Sequence, residues 1–241
     1  KNNNNNNNNN MNFGIILCGG SGLRMGEEFK NPKQYIKVNN RYVFSYCLEV
    51  IDNNPLIDKI IICAHENWRE IITETISEIG LNKEFLFSDP GETRQMSVYN
   101  SLKVAKLISF ETSDLAVIHD GARPLIDDNI LNDCILESNK YDGAIATIKV
   151  NDTIYQSDNG TFITNIPKRD SLRAGQTPEA FNLKKYFDIH QSCSNEVINS
   201  VTGGAEFAAN NGMKISFSKG NPGNIKITTK KDLELFKDLI K

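Results

Sequence analysis

Apolar and polar positions in this chain switch repeatedly between two periods. Short β-rich runs at Phe13–Leu17, Lys59–Ala64, Glu84–Phe87, Leu115–Ile118 and Ala144–Val150 read as strands. Between them the apolar positions fall at helical spacing. Val43, Phe44, Cys47, Val50 and Ile51 share one helical face, as do Ile72, Ile76 and Ile79, then Val98, Leu102 and Ala105, and finally Leu233, Phe236 and Ile240. Strands alternating with helices predict an α/β fold with a mostly parallel sheet flanked by helices. In such sheets ligands bind beyond the carboxyl ends of the strands. The stretch 151–168 breaks the rhythm. Asn151 to Tyr155, a turn at Ser157-Asp158-Asn159-Gly160, and Thr161-Phe162-Ile163 read as a protruding β-hairpin. A two-stranded ribbon is marginal alone, so a second subunit is the expected surface for this arm.

Lys1 and the nine asparagines that follow it read as a tag or as placeholder lettering, which sets residues 1–10 apart and leaves 11–241 as one expected domain. A net charge of −3 with no basic tract argues against a nucleic-acid backbone as partner. The longest apolar runs are too short to span a membrane, and no secretory segment follows Met11, so the cytoplasm is the expected compartment. Five cysteines, Cys18, Cys47, Cys63, Cys134 and Cys193, lie far apart with no C-x-x-C pair, which disfavours zinc and disulfides.

The first strand empties into Leu17-Cys18-Gly19-Gly20-Ser21-Gly22-Leu23-Arg24-Met25-Gly26, followed by Asn31-Pro32-Lys33-Gln34. A glycine-rich loop after a strand leaves amide N–H groups free to converge on an anion. A tight turn alone would also account for the glycines, but Arg24 and Lys33 add two positive charges and make the loop suitable for a triphosphate. It lacks the Gly-Lys-Ser/Thr ending of a Walker loop. A second cluster, His119-Asp120-Gly121-Ala122-Arg123-Pro124, ends another predicted strand. Asp120 there can hold a metal ion or a ribose hydroxyl, or simply cap the next turn. His119 is best read as a satisfied structural group.

These two clusters, with Gly91-Glu92-Thr93-Arg94-Gln95-Met96-Ser97-Val98, Asp152-Thr153, Gln176-Thr177-Pro178 and Asn224-Ile225-Lys226-Ile227-Thr228, follow one another in an order that resembles the cytidylyltransferases of small polyol phosphates. That group comprises the methylerythritol 4-phosphate and the ribitol 5-phosphate enzymes. The resemblance implies a three-layer, Rossmann-like nucleotidyltransferase sandwich and the transfer of CMP from CTP to a polyol phosphate with Mg²⁺. It implies that Cys18, Gly19, Gly20, Ser21 and Gly22, with Arg24 and Lys33, hold the triphosphate. Leu17, Gly91 and Ser97 would read the cytosine, and Asp120 would bind ribose or order Mg²⁺. Arg123, Thr153 and Arg169, offered by the arm and loops of a neighbouring subunit in a homodimer, would bind the polyol phosphate, with Thr202 and Lys226 completing that side. Arg24, Lys33, Arg169 and Lys226 are the residues implied to act in the transfer.

Two positions depart from the family pattern. Thr202-Gly203-Gly204-Ala205 stands where Thr-Asp-acidic-Ala is usual, so carboxylates are missing, and Gly121 replaces a more frequent Ala, read as a mild change. Asn165 to Arg169 and Gly175 to Pro178 tilt the substrate toward ribitol 5-phosphate. A molybdenum-cofactor guanylyltransferase fits the glycine loop but not the second cluster, and a nucleotide-binding protein without catalysis draws only on Gly203-Gly204.

Overall fold

The computed structural model describes residues 10–20 and 30–241. Ser21, Gly22 and Arg24, the far half of the expected phosphate loop, therefore lie outside the described residues. In chain order the elements are β1 (Asn12–Leu17), β2 (Lys37–Val38), β3 (Arg41–Tyr42), α1 (Val43–Asn53), β4 (Lys59–Cys63), α2 (Glu66–Ile79), β5 (Phe85–Ser88), α3 (Arg94–Ile108), β6 (Leu115–Asp120) and α4 (Asp128–Lys140). They continue with β7 (Gly143–Lys149), β8 (Arg173–Asn182), α5 (Leu183–Gln191), α6 (Asn195–Asn199), α7 (Gly204–Asn210), β9 (Ile215–Lys219) and α8 (Lys230–Leu239).

Seven strands form one sheet in the order β5-β4-β1-β6-β8-β7-β9. The pairs β1/β4, β1/β6, β4/β5 and β7/β9 are parallel, and β8 runs against both β6 and β7. Alternate strand side chains divide between two cores. Ile16, Ile60, Ile62 and Val117 pack with α1, α2 and α4, while Phe13, Ile15, Ile61 and Ile118 pack with α3, α5 and α7. Helices on both faces give three layers, and they explain why these strands are apolar almost throughout. Helix α8 closes a smaller core, in which Leu233 and Phe236 meet Val38, Val43 and Ile227.

Register sets the level at which the site is built. Leu17 stands opposite Cys63 on one side and Asp120 on the other, and Cys63 stands opposite Ser88. Four strands thus end in one row, and the loops after β1, β5 and β6 all leave from that rim.

The expected hairpin is corrected. Between Asn151 and Lys168 the structure has a single antiparallel bridge, Gln156 to Asn165, and no paired strands. Side chains take the backbone partners a ladder would need. Ser157 Oγ accepts from Gly160 N at 2.9 Å, Asn159 Oδ1 accepts from Thr161 N and Phe162 N at 2.9 and 3.1 Å, and Thr164 Oγ1 accepts from Asp158 N at 2.9 Å. Gly160 is left-handed at φ 76°, so the Asn-Gly turn itself is present. The segment is exposed, with Tyr155, Phe162, Ile163 and Ile166 more than half accessible.

Candidate active site

At the rim the chain leaves β1 with Cys18 N donating to Cys63 O at 2.8 Å. Gln34, in the short 3-10 turn Lys33–Tyr35, reaches back under the loop. Its Nε2 donates to Cys18 O and to Gly20 O, both at 2.9 Å, and Tyr35 OH donates to Cys18 O at 3.0 Å. Buried Gln34 and Tyr35 therefore spend their donors on carbonyls, and the N–H groups of Gly19 and Gly20 have no acceptor among the described residues. The Cys18 thiol is buried and pushed well above its ordinary pKa, chiefly by desolvation, so it is a packing group and not a nucleophile.

Gly121 is not the mild change expected. A Cβ there would lie 2.7 Å from Cys18 Sγ and 2.9 Å from Leu17 O. Cys18 fills the space, and an alanine at 121 would have to displace it.

The loop after β5 folds onto α3. Thr93 caps that helix, its side chain accepting from Met96 N at 3.2 Å, and Ser97 Oγ accepts from Gly91 N at 2.9 Å. From the first turn of α3, Arg94 extends to β6. Its Nε and Nη2 each donate to Asp120 Oδ1 at 3.2 Å, and Nη1 donates to Glu179 Oε1 at 3.0 Å. Lys226 Nζ lies 3.4 Å from Asp120 Oδ2 and Arg123 Nε lies 3.9 Å from it. The segment carrying Lys226 is stitched down on both sides of that lysine: Arg123 Nη1 donates to Asn224 O at 2.7 Å and Ile227 N to Ala122 O at 2.8 Å. Burial by itself would raise the Asp120 carboxyl, but the charges of Arg94 and Lys226 override it and hold the group well below the usual carboxylate range. Asp120 is an anion at any working pH.

His119 is satisfied at both ring nitrogens. Nε2 faces the Arg123 carbonyl at 2.9 Å, which can only accept, so that nitrogen carries the proton and Nδ1 accepts from Thr177 Oγ1 at 3.0 Å. Thr177 Oγ1 in turn accepts from Asp120 N at 3.1 Å. Burial lowers the His119 pKa to about 4, so the ring is neutral and positions Asp120 through Thr177.

Around these groups lies a cavity of about 420 Å³. Of the residues singled out in the sequence, Leu17, Gly19, Gly20, Lys33, Gly91, Ser97, Asp120 and Lys226 line it. Cys18 lies behind the wall, and Arg123 is turned inward onto Asn224 rather than into the cavity. Thr202 is exposed and away from that wall. Arg169 sits at the root of the arm, where its Nη1 donates to Asn151 O at 2.7 Å, and lines a separate, cation-rich cavity of about 490 Å³ with Lys149 and Arg173. Thr153 is exposed on the arm and borders neither cavity. Within one protomer the set therefore splits into a rim group and an arm group. Sequence reasoning gave no role to Gln34, Arg94 or Glu179. The first two stood inside quoted motifs, and only their partners, Gly20 O and Asp120, give them meaning.

The family model for 2-C-methyl-D-erythritol 4-phosphate cytidylyltransferase, IspD, matches residues 13–241. The chain belongs to this family. It is a nucleotidyltransferase of the cytidylyltransferase kind, which leaves the guanylyltransferase and non-catalytic alternatives without support. Its IspD relatives divide over the polyol. A ribitol-5-phosphate cytidylyltransferase of Lacticaseibacillus paracasei is 33% identical over 229 residues, covering 92% of this chain and 95% of the relative. A 2-C-methyl-D-erythritol 4-phosphate cytidylyltransferase of Clostridium beijerinckii is 36% identical over 228 residues, covering 94% and 97%. Among solved structures, the Francisella tularensis IspD superposes with a TM-score of 0.76 at 27% identity, covering 94% of this chain and 98% of that one. The 4-diphosphocytidyl-2C-methyl-D-erythritol synthase of Anaerococcus prevotii superposes with a TM-score of 0.80 at 24% identity, covering 96% of each chain, and shares the IspD fold. Among the described residues no helix is long and apolar enough to cross a membrane.

Proposed function

We propose that this chain transfers CMP from CTP to ribitol 5-phosphate, releasing diphosphate, in the cavity at the rim of β1, β5 and β6. The observation that carries the reading is that Gly19, Gly20, Lys33, Asp120 and Lys226 line one cavity together with Gly91 and Ser97, the residues for the base. A phosphate monoester carries nearly two negative charges at neutral pH, its second pKa being about 6, and needs no strong base to become a nucleophile. One of its oxygens attacks the α-phosphorus of CTP, the new P–O bond forms as the bond to the β-phosphate breaks, and diphosphate leaves with the electron pair. The difficulty is repulsion between anions. Lys33, Lys226 and Arg94 offset it, and Arg24 joins them from outside the described residues. No general base is assigned, consistent with a neutral His119 that is fully engaged.

Mg²⁺ fits the donor set. Asp120 is ionised, and Mg²⁺ is commonly shared between one or two carboxylates and substrate phosphates rather than caged by protein. Among the described residues no group of three or more His, Cys, Asp or Glu could form such a cage. Asp120 would hold the ion, which supplies positive charge to the phosphate oxygens.

The arm group acts on a partner's cavity in this reading. Tyr155, Phe162, Ile163 and Ile166 are too exposed for an isolated surface, and a second copy of the chain is the cover. Arg169 and Thr153 then bring the polyol phosphate to the neighbour's CTP, and Lys226 completes that side. The cytoplasm, where CTP is made, is the expected compartment. Asn165 to Arg169 and Gly175 to Pro178 support ribitol over methylerythritol. Pyrophosphate release from CTP and Mg²⁺, run in parallel with ribitol 5-phosphate, 2-C-methyl-D-erythritol 4-phosphate and glycerol 3-phosphate, tests the reading. Release with ribitol 5-phosphate alone supports it, and release with methylerythritol 4-phosphate alone replaces the substrate while keeping the chemistry.

A further inference from the structure

Glu179 is a carboxylate only 2% exposed in the middle of β8, and the reaction as derived does not use it. A buried carboxylate costs stability unless it is paired, and an apolar residue in its place is often no worse. Its partner is Arg94. Glu179 stands opposite Ile118 on β6, so it shares a sheet face with Ile118 and with Asp120 two residues on, the face on which α3 begins. Arg94 bridges the two carboxylates, with Nη1 on Glu179 and both Nε and Nη2 on Asp120 Oδ1, while 37% of its side chain remains exposed at the cavity wall.

A guanidinium held by Asp120 alone can pivot about that one oxygen. Held at both ends, its planar fork has one orientation. The space for this arrangement comes from Gly204, at the start of α7. A Cβ on residue 204 would lie 2.8 Å from Glu179 Oε1 and 3.0 Å from Tyr186 OH. A side chain at 204 and the Glu179 carboxylate compete for one volume. The glycine pair that departs from the usual acidic pair is thus matched by an acid arriving from β8.

We infer that Glu179 is a positioning residue for the transfer: it fixes Arg94 so that Arg94 holds Asp120 and presents its charge to the triphosphate, and Gly204 is required to make room for it. The inference rests on the reading of the Asp120 cavity as the CTP site. Glu179→Asp withdraws the carboxylate by one methylene, and Gly204→Ala pushes it from the other side. Each is expected to lower kcat for pyrophosphate release, with the polyol phosphate that the parent enzyme turns over, about ten- to a hundredfold, the scale of an ångström-sized misplacement. KM for CTP should change much less. Glu179→Gln, whose amide oxygen can still accept from Arg94, should restore most of the rate, which a loss of folding stability alone would not permit. Melting temperature and circular dichroism confirm that each variant is folded. Parent-like kcat in both Glu179→Asp and Gly204→Ala overturns the proposal, as does a Glu179→Gln enzyme as slow as Glu179→Asp. Asp120→Asn separates the layers. If it keeps full turnover, the cavity reading falls and the proposal with it. If it is crippled while the Glu179 and Gly204 variants are not, only the proposal falls.

Discussion

Asp120 stays ionised because Arg94 and Lys226 face it, and the same pairing keeps both cations beside the cavity. Lys33 has a different task, as a wall charge beside Gly19 and Gly20. Lys33→Ala should lower kcat about a hundredfold or more, since removing a charge or donor that opposes the transition state has that effect. Steady-state pyrophosphate release measures it. The buried histidines give a pH signature for stability and none for a catalytic base. Burial lowers His119 and His190 from 6.5 to about 4. The unfolded chain therefore takes up protons first as pH falls, so the contribution is complete above 6.5 and is lost progressively toward 4. Melting temperature followed from pH 7.5 to 4.5 should show this decline, and His190→Gln should flatten it, because Gln95 and the Tyr186 carbonyl then face a group that does not titrate. At this scale the sequence announced chemistry only where residue type and neighbours agreed, as at Gly19-Gly20 and Asp120. Gln34 and Glu179 could not be read, because their partners are remote in the chain, and the exchange of volume between Gly121 and Cys18 is invisible without distances.

Helix α3 joins the core to the site, and its two ends can be tested separately. Leu102 is fully buried against the sheet, so Leu102→Ala should cost about 2–5 kcal/mol, read by urea unfolding. Thr93→Ala removes the cap that accepts from Met96 N and the bond to Asn199 Oδ1 at 3.0 Å, for about 1 kcal/mol, in the same measurement. Because Arg94 follows directly, Thr93→Ala should also slow turnover, whereas Leu102→Ala should leave the rate of the folded fraction near the parent's. The elements that were legible share one property: an apolar run or stripe long enough to define a period, as in β1, β4, β6 and α3. Strand β8 was missed because Gly175, Pro178 and Glu179 interrupt it, and it is placed by pairing with β6 and β7 rather than by its own pattern. The arm failed in the opposite way. Its turn at Asn159-Gly160 is present, but Ser157, Asn159 and Thr164 claim the backbone groups.

For the whole molecule, the proposed function sets the arm's exposed apolar residues against a second subunit. Deleting Ser157 to Thr161 should move the sedimentation profile toward monomer and reduce polyol-phosphate turnover while CTP binding persists. An unchanged profile would count against an arm exchanged between subunits. The level rim has a consequence for how this protein can change over generations. Removing one residue from β1 would carry its end about 3.3 Å away from Asp120 and turn its side chains to the wrong core. The arm's turn, exposed and closed by its own side chains, carries no such constraint. Insertions and deletions should be purged from the four strands that end together, whereas around Asn159 and Gly160 only the contact between subunits, and not the core, selects against them.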